Sequence, residues 1–280
     1  RQDYIYWGAP VTGQNLLDFS PFTLTNRFYT FNEPTNAFVN VDAAATAFEP
    51  GRGYMIRAEN NLSNTTNTNW TGTFEGLPNN GTYNVPVTRT TSGYNIIANP
   101  YPSPISCQSF VAANPNIGTL YFWAHVTQGA GSAANYATWN GTGAAAPAGG
   151  ATPNGTIQTG QGFLVQLPAT PTITSVNFNN GMRIDDHGNQ FFRAGRQTLS
   201  EGSSQPNRLW IDLSSGETNY NQVLLGYVEG ATAEFDTNFD GKLIGTNSAM
   251  IYTLLDNEKY TIQGKANPVD LADETALGFS

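Results

Sequence analysis

The sequence predicts an all-β protein: a β-rich, sandwich-like module written twice, followed by a further β-sandwich-like module. Three observations carry this. Short runs such as RFYTF (Arg27–Phe31), GYMIRA (Gly53–Ala58), TLYFWAHV (Thr119–Val126) and GFLVQL (Gly162–Leu167) combine aromatic and β-branched residues between Gly, Pro and Asn, as strands do. Sustained helical spacing is almost absent. The stretch GRGYMI (Gly51–Ile56) returns as GQGFLV (Gly160–Val165), a glycine, any residue, glycine, aromatic, apolar, apolar pattern that signals duplication.

Taken in order, YIYWGAP (Tyr4–Pro10) aligns with YNIIANP (Tyr94–Pro100), RFYTF with TLYFW (Thr119–Trp123), and AFVN with ATWN so that Asn40 meets Asn140. The offset only grows, from 90 residues at Pro10 and Pro100 to 109 at Gly51 and Gly160, so the second copy carries insertions. These fall in TQGAGSAAN (127–135) and GTGAAAPAGGATPNG (141–155), runs of small residues without periodicity that read as loops. Two single helical turns are expected, at QNLLDF after Gly13 and at SCQSFVAANP, where Ser106 is placed to cap and Pro115 to stop the turn. The paired glycines provide a tight approach into the last strand of each copy, where a side chain would clash.

After Arg196 the texture changes. NRLWIDLS, NQVLLGYVEG, AMIYTLL and KYTIQGKA are four strand candidates with sharper alternation and no match to the duplicated pattern. The polar linker RAGRQTLSEGSSQPN (193–207) precedes them. The expected modules are therefore residues 1–90, 91–195 and 196–280.

Only 12% of the 280 residues are charged, about half of the ~25% usual in soluble domains. Asn, Thr, Gly, Ser and Ala take their place, a composition of extracellular flavour. Twelve basic against 21 acidic side chains give a net charge of −9, which repels the phosphate backbone, so nucleic acid is not an expected partner. No stretch approaches the roughly 20 apolar residues of a membrane span, and no membrane insertion is expected. Cys107 is the lone cysteine, so no intramolecular disulfide forms, and it reads as a small buried apolar group.

The words YWGAPVTGQNL, FEPGRGYMIRA, YNIIANPYPSPI, LYFWAH, YATWNGTG, IQTGQGFLVQ, FNNGMR, NQFFR, RLWIDLS and YTIQGKANPVDLADETALGF, spread over nearly the whole chain, together resemble a known setting. They are similar to the region upstream of the C-terminal sorting domain in adhesin-like proteins exported by the type IX secretion system of Bacteroidota. The resemblance implies a secreted or cell-surface protein built of β modules. It implies a partner in the secretion machinery, engaged through a sorting domain that is expected to lie beyond LGFS and is not among these residues. It supplies no catalytic residues.

For chemistry, the histidines are His125, in a strand alternating with Tyr121 and Trp123, and His187, beside Asp185 and Asp186 in a polar turn without a second histidine or cysteine at ligand spacing. DTNFDG (Asp236–Gly241) places oxygen donors at Asp236, Asn238 and Asp240 before a glycine, the opening of a calcium loop. The closing position holds Asn247 rather than glutamate, so Glu229 or Glu234 would have to contribute, and an ordinary Asp-rich turn stands as the alternative. No nucleophile motif is present, although two carboxylates brought together by the fold would suffice for a glycosidase. Tyr121, Trp123 and Trp139, set among Asn, Thr and Gly, are candidates for stacking on sugar rings, with strand core as the alternative. Asn61, Asn64, Asn69, Asn80, Asn140 and Asn154 begin Asn-x-Ser/Thr triplets, which a chain this rich in Asn and Thr produces by chance.

The expected function is a non-enzymatic extracellular module, adhesive or structural, that contacts polysaccharide or another surface. The alternative is the accessory carbohydrate-binding part of a secreted polysaccharide-degrading enzyme or peptidase.

Overall fold

The computed structural model describes residues 3–63, 70–124, 136–186, 207–215, 218–245 and 249–280. His125, His187, Asn247, the 127–135 insertion and all but the last residue of the 193–207 linker lie outside the described residues. The fold is all-β; among the described residues strand far outweighs helix and no helix is long. By internal packing the chain divides into two compact units, Arg1–Asn116 with Thr156–Gly188, and Ile117–Gly155 with Asn189–Ser280. These do not coincide with modules at 1–90, 91–195 and 196–280, because the middle of the second copy packs with the C-terminal strands.

In the first unit, Tyr4–Trp7, Tyr54–Arg57, Phe28–Asn32 and Ala37–Asn40 form a four-stranded sheet in that spatial order. Tyr4 pairs with Arg57 and Trp7 with Tyr54. In the second copy Tyr94–Ala98 pairs antiparallel with Gly162–Gln166, and here Tyr94 meets Gln166 and Ile97 meets Phe163. Under the sequence alignment these are the same partners, so the duplication preserves strand register as well as wording. A one-residue slip would have turned every side chain to the opposite face.

The glycines of the repeated motif act in pairs. Gly51 and Gly160 sit at φ +82 and +68, backbone that residues with a Cβ rarely adopt. Gly53 and Gly162 are kept small by close approach to the other copy. A Cβ on Gly162 would lie 2.7 Å from Tyr6 Cβ and 2.8 Å from Tyr6 C, and one on Gly53 would overlap Ile96 Cγ2. The contact is reciprocal, with isolated bridges joining Trp7 to Gln161 and Ile97 to Arg52.

Apolar side chains fill this unit. Leu16, Phe19, Phe28, Phe48, Tyr54 and Ile56 are buried, with Trp7, Trp70 and Phe74 packed at their margin. Phe110 meets Phe163 edge-on at 5.4 Å and Phe178 at 5.1 Å. The helical turns form as expected, at Leu16–Phe19 and Cys107–Ala113. The Ser106 side chain accepts from Ser109 N at 3.2 Å, and the helix ends before Asn114 and Pro115.

In the second unit Leu120–Trp123, Tyr136–Trp139 and Ala144–Ala145 form an antiparallel meander. The last of these lies in a run expected to be loop. Alanine is small enough for Ala145 to enter the core beside Leu224 and Ile262, which a periodicity argument cannot detect. The C-terminal sheet runs Arg208–Ser215, Thr218–Val228, Glu258–Ala266, Ile251–Leu255, Ala276–Phe279, with Gly241–Lys242 also paired to Glu258–Ala266. The four strands expected after Arg196 are all present. Thr218–Val228 runs antiparallel to Arg208–Ser215 but parallel to Glu258–Ala266, Tyr227 lying opposite Lys265.

Candidate functional site

The second unit holds Tyr121, Trp123, Trp139, Asp236, Asn238 and Asp240. Tyr121 is 2% exposed and Leu120 and Phe122 are buried as well, so side chains on both faces of this strand belong to the core. Tyr121 is therefore a core residue rather than an exposed platform. A strand buried on both faces loses the alternation from which an outward face would be read. Trp123 and Trp139 are half-buried, and Trp123 lies edge-on to Tyr136 at 5.1 Å. Trp139 is paired with Leu120 across the ladder.

The DTNFDG turn is closed by its own hydrogen bonds. The N–H groups of Phe239 and Asp240 donate to the carbonyl of Asp236 at 3.0 and 2.8 Å. Asp240 Oδ2 accepts from Asp236 N at 2.7 Å and Oδ1 from Gly264 N at 2.8 Å. Asp236 Oδ2 accepts from the backbone N and hydroxyl of Thr232, at 2.6 and 2.9 Å. Asn238 is exposed, and its carbonyl accepts from Gly141 N at 2.9 Å. Among the described residues, no three His, Cys, Asp or Glu side chains gather as a metal-holding group.

The same turn joins the meander to the C-terminal sheet. Thr119 Oγ1 donates to the Asp240 carbonyl at 2.9 Å and Thr142 Oγ1 to the Phe239 carbonyl at 2.7 Å. Gly118 has no room for a side chain, since a Cβ there would overlap the Thr237 carbonyl. Asp240 is 3% exposed, and burial pushes its carboxyl up to about 6, against the pull of its two backbone donors. In chemical terms the turn is a clamp whose central carboxylate is committed to backbone N–H groups. Asparagine and glycine at these positions are what such a turn requires, so the spacing that suggested a cation is also the spacing of a tight Asx-rich corner.

Cys107 is fully buried in the first unit, and burial pushes its thiol far above the ordinary range. Asp186 Oδ2 accepts from Thr156 Oγ1 at 3.2 Å.

One feature carries no motif. Tyr227, the strands Ile251–Leu255 and Glu258–Ala266, and the turn 267–275 line an open cleft of about 350 Å³ that holds Tyr227, Gln263, Lys265 and Asp273. Lys265 Nζ reaches both carboxylate oxygens of Asp273 at 2.7 Å, and the Tyr227 hydroxyl donates to Asp273 Oδ2 at 2.9 Å. The Lys265 ammonium is the main influence that holds the Asp273 carboxyl below its usual range. Tyr227 and Asp273 are 46 residues apart in the chain, and nothing in the sequence between them signals their meeting.

No curated protein and no solved structure matches this chain. A family model matches residues 1–280, and the chain accordingly belongs to the family described as Domain of unknown function (DUF8693).

Proposed function

We propose that this chain is a non-enzymatic extracellular or cell-surface module of a type IX secretion substrate, with an adhesive or structural role. The observation that carries the reading is the reciprocal docking of the two glycine motifs, which locks the duplicated strands through backbone contacts that no side chain could enter. Such interlocking suits a module that must persist outside the cell. Its low charge and Asn- and Thr-rich composition suit contact with polysaccharide rather than with a strongly charged polymer.

The test is a glycan and polysaccharide array probed with the purified chain, in calcium and in chelator, with every ligand also assayed for cleavage. Binding without cleavage supports an adhesive role, and its loss in chelator assigns calcium to the Asp236, Asn238 and Asp240 turn. Cleavage overturns the reading in favour of an enzyme. Protease resistance without binding restricts the role to a structural one.

A further inference from the structure

We propose that the cavity floored by Tyr227, Gln263 and Lys265 binds a neutral sugar unit, an inference that rests on the adhesive form of the function above and gives it a location. Tyr227 and Lys265 are direct partners across the parallel ladder, as are Leu225 and Gln263, so Gln263 and Lys265 lie on one face two residues apart. The turn 267–275 covers that face and is tied down by Lys265, whose ammonium also donates to the Glu274 carbonyl at 2.9 Å. The volume of this half-open cleft, about 350 Å³, falls within the range of roughly 300–1,000 Å³ that small-molecule sites occupy.

Gln263 is the residue that points to a ligand. It lines this cavity, is 3% exposed, and its Oε1 is buried without a hydrogen-bond partner. Buried polar groups are almost always paired, and one left alone costs stability that an apolar residue of the same size would recover. A glutamine held in such a place is explained if an incoming group completes it.

The lining decides the ligand's charge. Lys265 is a cation at the floor, and Asp270, Asp273 and Glu274 are carboxylates around it. An anionic ligand would meet Asp270 and Glu274 as well as the Lys265-paired Asp273, and a cationic one would have to displace or approach the Lys265 ammonium. A neutral ligand with several hydroxyls donates to the carboxylates and pairs with the carboxamide of Gln263, while the ammonium stays on Asp273 and Glu274. Leu254 and Pro268 provide apolar wall for the C–H face of a ring.

The test is saturation-transfer NMR and calorimetry on the full chain with glucose, galactose, mannose and N-acetylglucosamine, using n-butylammonium and acetate as charged controls. At least one sugar is expected to bind, and Gln263→Leu is expected to weaken it roughly tenfold or more while leaving the melting temperature unchanged or raised. Lys265→Met is the second variant, expected to weaken the same sugar, and it decides the matter should Gln263→Leu not fold. The proposal is overturned if no sugar binds, if a charged control binds instead, or if the variants bind as the wild type does. Array binding that survives in both variants overturns the pocket alone and leaves the adhesive reading standing, whereas a wild type silent on the array removes the adhesive reading itself.

Discussion

The backbone N–H of Ala98 donates to the carbonyl of Gly51 at 2.8 Å, and the equivalent N–H of Gly8 donates to the carbonyl of Gly160 at 2.9 Å. Each copy of the repeat thus lends its glycine motif to the first strand of the other. The two glycines of each motif have separate duties, the first turning the chain through a left-handed conformation and the second admitting a neighbouring backbone.

Separate duties give separable costs. Gly162→Ala introduces a methyl group against the Tyr6 backbone, which no rotamer change relieves, and is expected to destabilise by about 1–3 kcal/mol. Gly13→Ala, at φ +87 with nothing within 4 Å, should cost only the conformational term of about 1 kcal/mol. Urea denaturation of both variants checks the order. Equal losses would show that the close approach of Gly162 is unimportant.

Glu33 supports the first unit from within. Its 2% exposed carboxylate accepts from the N–H groups of Thr90, Thr91 and Gly93 at 2.7, 2.8 and 2.8 Å. Burial pushes its carboxyl up, but the backbone donors prevail and hold it below its ordinary value. A lowered folded value gives stability that is present above the unfolded value and lost as pH falls through the folded one. Glu33→Gln is expected to cost about 1–3 kcal/mol at neutral pH and to remove that acid-side loss from melting curves.

Asp240 has the opposite sign. Its folded value of about 6 lies above the ordinary 3.8, so between these limits the folded chain holds the proton more tightly than the unfolded chain. Its contribution is full below about 3.8 and fades as pH rises towards 6. Asp240→Asn should flatten the slope of stability in that interval, measured by chemical denaturation at stepped pH. An unchanged slope would mean that the carboxyl titrates alike in both states.

The buried Cys107 thiol supplies a reporter. Native protein should react negligibly with an aromatic disulfide reagent, and the labelling rate should rise in parallel with unfolding in denaturant. Rapid labelling in native buffer would show that the Cys107–Ala113 helix opens locally.

The fold was largely legible in the sequence because strand wording, turn residues and repetition are local properties. Gly51 and Gly160 announced the duplication, Ser106 announced a capped helix, and the texture after Arg196 announced four more strands. The candidate site was much less legible. Tyr121 reads as a possible platform in sequence, yet burial on both faces of its strand places it in the core, and Ala145 reads as loop yet joins Leu224 and Ile262. The DTNFDG stretch has the composition of a cation loop and of a tight structural corner, and composition alone cannot separate them.

The sequence by itself determined the all-β class, the duplication, the lone thiol and the sparse charge, since each follows from neighbouring residues or from simple composition. Only the tertiary structure decided that the glycine motifs dock reciprocally, that Asp240 is committed to Gly264, and that Gln263, Lys265, Tyr227 and Asp273 meet around one cavity. For the cavity the physical reason is the parallel pairing of Thr218–Val228 with Glu258–Ala266. A parallel partner must be reached by a long crossover, and no local rule of spacing records which distant strand completes the ladder.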